Sequence, residues 1–248
     1  MKEYEISEQL FIDVWEGYGC PDEVSDLQTI YNILNELILK SRHWIVLDHY
    51  SHINFDEIIK VEYDKEKSIF RQTYLCNGER KENDAEHAWH LAIMTVLLSD
   101  YAEEKIDVLK TVTMLLIHDV VEIDAGDTYA YDEEGKKTQR QREEAAAERI
   151  FGILPVEQQK KFRDLWEEFE KCETPEAKFA RTMDHIQPII LNDASKGKSW
   201  VEHGVHLNQI LDRNKRTPEG SKKLWEYAFE NLIRPNVDSG KIKNNMKL

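Results

Sequence analysis

The stretch that most limits the folds open to this 248-residue chain is 106–122, IDVLKTVTMLLIHDVVE. Apolar side chains recur there at helical spacing, which predicts a central, mostly buried helix from Ile106 to about Glu122. That helix nevertheless carries His118 and Asp119 side by side. A charged carboxylate in so apolar a setting costs several kcal/mol unless a partner or a metal compensates it. A hydrogen-bonded His–Asp pair is one solution and a metal site is another. The neighbouring residues favour the metal. Glu122 lies one turn after His118 on the same helix face, and Asp124 and Asp127 follow in a loop with Gly126. More anionic charge gathers at this helix end than a bare core tolerates.

Helical periodicity extends along nearly the whole chain, and ten Gly and six Pro leave long stretches unbroken. The expected fold class is all-α. Ile6, Leu10 and Val14 mark a first helix, and Leu27, Ile30, Leu34 and Leu37 a second. Residues 1–53 are therefore expected to form a helical hairpin extension, and 54–248 the main domain. The segment HWIVLDHY at 43–50 fits either a helix or a short strand. Asn54 is read as the cap of a helix running to about Tyr74. Further helices are predicted over 84–101, 138–151, from Pro155 to near Cys172, from Thr174-Pro175 to about Ala194, and over 221–233.

Other potential ligands occupy two of these helices. His87 and His90 stand one turn apart, and Asp184-His185 interrupts the apolar run KFARTMDHIQPIIL. Packing the apolar faces together would bring these residues to one place. A mixed His and carboxylate set suits octahedral Mn, Co, Fe or Mg better than structural zinc. Four protein ligands leave two positions for water and a substrate oxygen, enough to generate a nucleophile from water near neutral pH. A di-iron bundle would need Glu-x-x-His on two helices, and none of these His residues has a Glu three positions earlier.

A formal net charge of -15 repels nucleic-acid backbones and anionic membranes, so neither is an expected partner. It leaves room for a small phosphorylated substrate, whose charge a metal and local Arg residues can balance. Cys20, Cys76 and Cys172 form no CxxC pair and read as reduced thiols. MKEYEISEQL has no basic segment before an apolar run, and no stretch approaches 18 apolar residues, so a cytoplasmic location is expected.

With H…HD…D laid out on separate helices, the chain resembles the HD-domain metal-dependent phosphohydrolase superfamily, and more narrowly its 5'-deoxyribonucleotidase-like branch. Arg71, RKENDAEH at 80–87, LIHDVVEIDAGDT at 116–128, RQREEAAAERIFGILP at 140–155 and LWEEFEKCETPEAKFARTMD at 165–184 carry the closer likeness, which covers roughly 55–235. The resemblance implies an HD-domain helical bundle holding one divalent metal with His87, His118, Asp119 and Asp184. It implies that Arg71 contacts the substrate phosphate and that Glu122 and Asp127 are catalytic. It further implies a homodimer that hydrolyses nucleoside, above all deoxyribonucleoside, 5'-monophosphates to nucleoside and phosphate. The alternative is a regulatory HD module that binds metal and nucleotide without turnover. Gln72 departs from the branch, where some members carry a Trp near the sugar, and this weakens the deoxyribose preference. His90 reads as a packing residue, Arg80 and Glu82 as ion-pairing or substrate-contacting, and Lys136, Lys137, Arg140 and Arg142 mainly as a solvated face.

Overall fold

The structure, a computed structural model, describes residues 44–46, 52–54 and 63–246. Its regular structure is helical apart from two short antiparallel hairpins, as expected of an all-α chain. The first hairpin pairs β1 (Trp44–Val46) with β2 (His52–Asn54). It resolves the ambiguity at 43–50 in favour of a strand. Asn54 pairs with Trp44 in this ladder, so it is a strand residue and not a helix cap, and the expected division at 53/54 falls inside β2. The helices expected over 6–38 lie outside the described residues.

The helix expected to reach Tyr74 is replaced by a 3-10 turn at Tyr63–Ser68 and by β3 (Phe70–Tyr74), which pairs with β4 (Lys81–Asn83). Aromatic and β-branched residues dominate FRQTY, and its burial alternates with period two. Arg71 and Thr73 therefore face inward.

Asn83 ends β4 and begins α1 (Asp84–Leu98) through a reciprocal cap. Its side chain accepts from the Glu86 N–H at 2.9 Å, and Glu86 accepts from the Asn83 N–H at 3.3 Å. Next come α2 (Val108–Ile117), α3 (Glu122–Ala125), α4 (Glu133–Phe151), α5 (Val156–Lys171) and α6 (Pro175–Ala194). The predicted Thr174-Pro175 start of α6 is present, with Thr174 Oγ1 accepting from the Ala177 N–H at 3.2 Å. Beyond α6 lie α7 (Lys198–Glu202), α8 (Leu207–Asn214), α9 (Lys222–Ala228), a π turn at Phe229–Ile233, and α10 (Arg234–Asp238). Of these, only the helix over 221–233 was expected.

One expectation for the central helix is corrected. It stops at Ile117, and His118 and Asp119 occupy a tight turn before α3 instead of a continuous helix. The Val120 and Glu122 amides bond three residues back, to the Ile117 and Asp119 carbonyls at 3.4 and 2.8 Å. The reason is local. His118 Nδ1 bonds the Leu115 carbonyl at 2.8 Å, satisfying one of the acceptors that a helix end leaves open.

Helices α1, α2 and α6 pack on one another, α5 lies against α2 and α6, and α4 against α5. Leu91, Met114, Leu115, Phe179, Met183 and Ile186 belong to one apolar cluster. Val120, Val121, Ile150, Phe151 and Trp166 belong to a second. His118 and Asp119 fall on the chain between Leu115 of the first and Val120 of the second. No helix among the described residues is long and apolar enough to cross a membrane. Leu115 is fully buried, so Leu115→Ala should lower unfolding free energy by about 2–5 kcal/mol, measured by urea denaturation with a chelator present.

Candidate metal centre

Two imidazoles are held by their Nδ1 atoms so that their Nε2 atoms face inward. His118 Nδ1 is taken by the Leu115 carbonyl, and its ring stands edge-on to Phe169 with centroids 4.9 Å apart. His87 lies on α1 and is fully buried, with Nδ1 bonding Gln187 Oε1 at 3.1 Å. The Gln187 amide in turn donates to Glu82 Oε1 at 2.7 Å and to His90 Nδ1 at 3.1 Å. Such outer partners fix the tautomer and aim the free nitrogen, as at histidine metal sites generally.

Both Nε2 atoms point at the same carboxylates. Asp184 Oδ1 is 3.2 Å from His87 Nε2 and 3.9 Å from His118 Nε2. Asp119 Oδ2 is 3.0 Å from His118 Nε2 and 3.9 Å from His87 Nε2. His118 Nε2 is buried and makes no well-directed hydrogen bond despite that proximity. His87, His118 and Asp119 each offer a donor atom within 4.8 Å of the others. An orphaned buried nitrogen beside carboxylate oxygens fits donors aimed at a shared cation: His87, His118 and Asp119 converge, and Asp184 Oδ1 lies beside both imidazoles.

Arg71 enters from β3. It donates to Asp119 Oδ2 at 2.7 Å and to Asp84 Oδ1 at 3.1 Å, with Asp184 Oδ1 at 4.0 Å. Asp84, Asp119 and Glu122 also bring oxygens within 4.8 Å of one another, and Asp84 Oδ2 and Glu122 Oε2 are buried without a hydrogen-bond partner among the described residues. Three carboxyls this close cannot all ionise. Burial, then the Asp119 charge, pushes Asp84 up to about 7. The same two causes, with Asp84 added, hold the Glu122 carboxyl well above the usual carboxylate range. Asp119 stays ionised, because His118 and then Arg71 outweigh the cost of its burial. Burial likewise disfavours the Asp184 charge, but the His118 and His87 imidazoles beside it hold its carboxyl far below the ordinary value. His118 responds in kind: burial opposes its proton, yet Asp119 and Asp184 raise it to about 10.

The remaining expected residues fall around this centre. Gly126 takes φ +74°, a conformation that favours glycine, and turns the chain out of α3 to deliver Asp127 beside the cleft. Burial is the main reason the Asp127 carboxyl is raised. Arg142 donates to the Ala125 carbonyl and, at 2.7 Å, to Thr128 Oγ1, so it clasps the Asp127 loop and is not part of a solvated face. Arg80 pairs with Glu86 and Glu82 is buried, which favours structural roles for both. His90 is a partner of Gln187, as expected of a packing residue. Asp84 and Gln187 were missed by sequence reasoning. The signal for Gln187 was its position three residues after Asp184 on the same face of an apolar helix.

The sequence profile of the HD domain matches residues 63–225. The chain belongs to the HD-domain family. This HD-domain protein is 31% identical over 114 residues to the 5'-deoxynucleotidase HDDC2 of Homo sapiens, covering 46% of this chain and 54% of that relative. It is 29% identical over 167 residues to the 5'-deoxynucleotidase HDDC2 of Dictyostelium discoideum, covering 64% of this chain and 87% of the relative. The match thus spans about half the length of the human protein. Among solved structures, a predicted metal-dependent phosphohydrolase from Magnetospirillum magnetotacticum superposes with a TM-score of 0.69 at 44% identity. That superposition covers 73% of this chain and 90% of the other.

The raised His118 and His87 make a testable statement about pH. Near pH 7 the metal-free His118 imidazole holds a proton that a cation bound there must displace, so affinity should tighten as pH rises, by about tenfold per pH unit for each proton released. Titrating Mn2+ calorimetrically in buffers of different ionisation enthalpy counts those protons. A count of zero would overturn the raised His118, whose proton the bound cation must displace.

Proposed function

We propose that this HD-domain protein is a divalent-metal-dependent phosphomonoesterase acting on nucleoside 5'-monophosphates. The convergence of His87 and His118 Nε2 on Asp119 and Asp184, with the raised Glu122 carboxyl beside them, carries the reading. His87, His118, Asp119 and Asp184 would hold one ion, with Mn, Co, Mg and Fe all compatible with the donor set. When bound, that ion supplies Lewis acidity to a phosphoryl oxygen and makes a water molecule more acidic.

The chain's own residues supply the rest. Arg71 faces the same cleft and neutralises phosphate charge. Glu122, held protonated by burial and by Asp119, suits donation of a proton to the leaving alcohol. Asp127, just past the end of α3 in the same cleft, takes the proton of the attacking water. Next to the centre lies a cavity lined by Gln72, Tyr129, Tyr131 and Trp200 among others. Its aromatic residues offer faces on which a nucleobase can stack. Its aromatic wall comes from the 127–131 loop and α7, which supports a nucleotide despite the absence of Trp at position 72.

The homodimer and the cytoplasmic location belong to the same reading. Trp89, Ile93, Val96 and Leu97 expose one apolar face of α1, with Leu109 and Leu116 of the adjoining α2 also exposed. Leu97→Lys should shift a dimer toward monomer in sedimentation velocity. Cys76 and Cys172 are free thiols, in keeping with a reducing compartment.

The deciding experiment is release of inorganic phosphate from a panel of deoxyribo- and ribonucleoside monophosphates with Mn, Co or Mg. No release from any of them, with metal demonstrably bound, defeats this reading in favour of a binding module. Asp119→Ala should abolish both metal binding and turnover. Glu122→Gln should keep the metal while kcat falls about 100-fold or more, within the range of general acid–base catalysis.

A further inference from the structure

Arg213, near the end of α8, lies at the neck between two cavities and belongs to neither the ligand set nor the Arg71 ion pairs. It lines the chamber of Tyr129, Tyr131 and Trp200, and also the adjoining cleft of His118, Asp119, Glu122 and Asp184. Arg71 lines both spaces too, but its guanidinium is already engaged by Asp84 and Asp119. Arg181, a third cation of the cleft, is held by the Phe169 carbonyl and Glu170, both at 3.2 Å. Among the described residues, the Arg213 guanidinium has no ion pair or hydrogen bond. It is a half-buried cation facing a polar cleft with its donors unspent.

Its position is set rigidly. The next residue, Asn214, is buried and donates to the Ile210 carbonyl at 2.9 Å, while its Oδ1 accepts from Thr217 Oγ1 at 3.0 Å. Thr217 is bound in turn to α6: its carbonyl accepts from Thr182 Oγ1 at 2.8 Å, and its hydroxyl meets His185 Nδ1 at 3.0 Å. Thr182 and His185 flank Asp184 on that helix. The end of α8 is therefore fastened to the same turn that carries a proposed metal ligand. A purely solvating arginine needs no such anchorage.

We infer that Arg213 is a second arginine, beside Arg71, that meets the incoming phosphate dianion, and so a substrate-binding residue that selects phosphomonoesters. This rests on the phosphohydrolase reading for its substrate and deepens it. A guanidinium at the neck reaches a phosphoryl group in the cleft while the organic part of the ester occupies the aromatic chamber. Arg71 divides its charge between the phosphate and its partners Asp84 and Asp119, while Arg213, with its donors unspent, adds affinity for the anion.

The test compares wild type, Arg213→Gln and Arg213→Lys in the Mn-loaded protein, reading inorganic phosphate affinity by calorimetry and KM and kcat on a nucleoside monophosphate. Losing a charged hydrogen-bond donor should weaken phosphate binding and raise KM about tenfold to a hundredfold in the Gln variant, with the smaller change in kcat. The Lys variant should recover part of the loss, and Mn affinity should stay within about twofold because Arg213 is not a ligand. Unchanged phosphate affinity and KM in a folded Arg213→Gln protein would overturn the assignment. So would a parallel loss of Mn, which would mark Arg213 as a support of the metal centre. If the wild type hydrolyses no nucleotide yet Arg213→Gln still weakens phosphate binding, the nucleotidase reading fails and the anion site stands.

Discussion

The structure is organised around a charge imbalance that the protein cannot resolve by itself. Asp84, Asp119, Glu122 and Asp184 are all buried and close together, with Arg71 pairing Asp84 and Asp119 directly. In a medium of low polarity this excess of acid is costly, and the metal-free protein relieves it by protonating what it can. Protons on His118, Glu122 and Asp84 are three forms of that relief. A divalent cation held by the proposed ligands would replace them with one charge at one place. The helices α1, α2 and α6 exist in their mutual packing partly to bring these groups to that place.

Each element contributes through a local rule. The Asn83 cap starts α1 so that His87 arrives one turn later on its inner face. The break after Ile117 points His118 and Asp119 into the seam between two apolar clusters. On α6, Asp184 reaches the centre and Gln187, one turn on, fixes the far side of His87. The proposed ligands and their supports therefore share helices, and distortion of one helix would disturb both.

Much of the centre was legible in the sequence because buried charge in an apolar run is conspicuous. His118-Asp119 and Asp184 stood out for that reason, and the ordered H…HD…D pattern then selected His87 over His90. Other features left weaker traces. β3 has only five residues, too short for period two to declare itself beside helical neighbours. The break at 118–121 contains no Gly or Pro, since a histidine side chain terminates the helix. Asp84 looked like an ordinary acid in a first helical turn. Arg213 sits in a short polar stretch, LDRNKR, that reads as surface. The two apolar clusters likewise depend on long-range packing that no local pattern encodes.

The alternation along β3 carries a consequence for how this chain can change over evolutionary time. Arg71 faces inward because even and odd positions of the strand see opposite environments. Inserting or deleting one residue between Phe70 and Tyr74 would send the guanidinium to solvent and bring Gln72 against Asp84 and Asp119. The turn at 75–80 bears no such parity and can absorb length variation at its exposed tip. Insertions should therefore accumulate in that turn and be purged from the strand, leaving a fixed-length island beside a variable one.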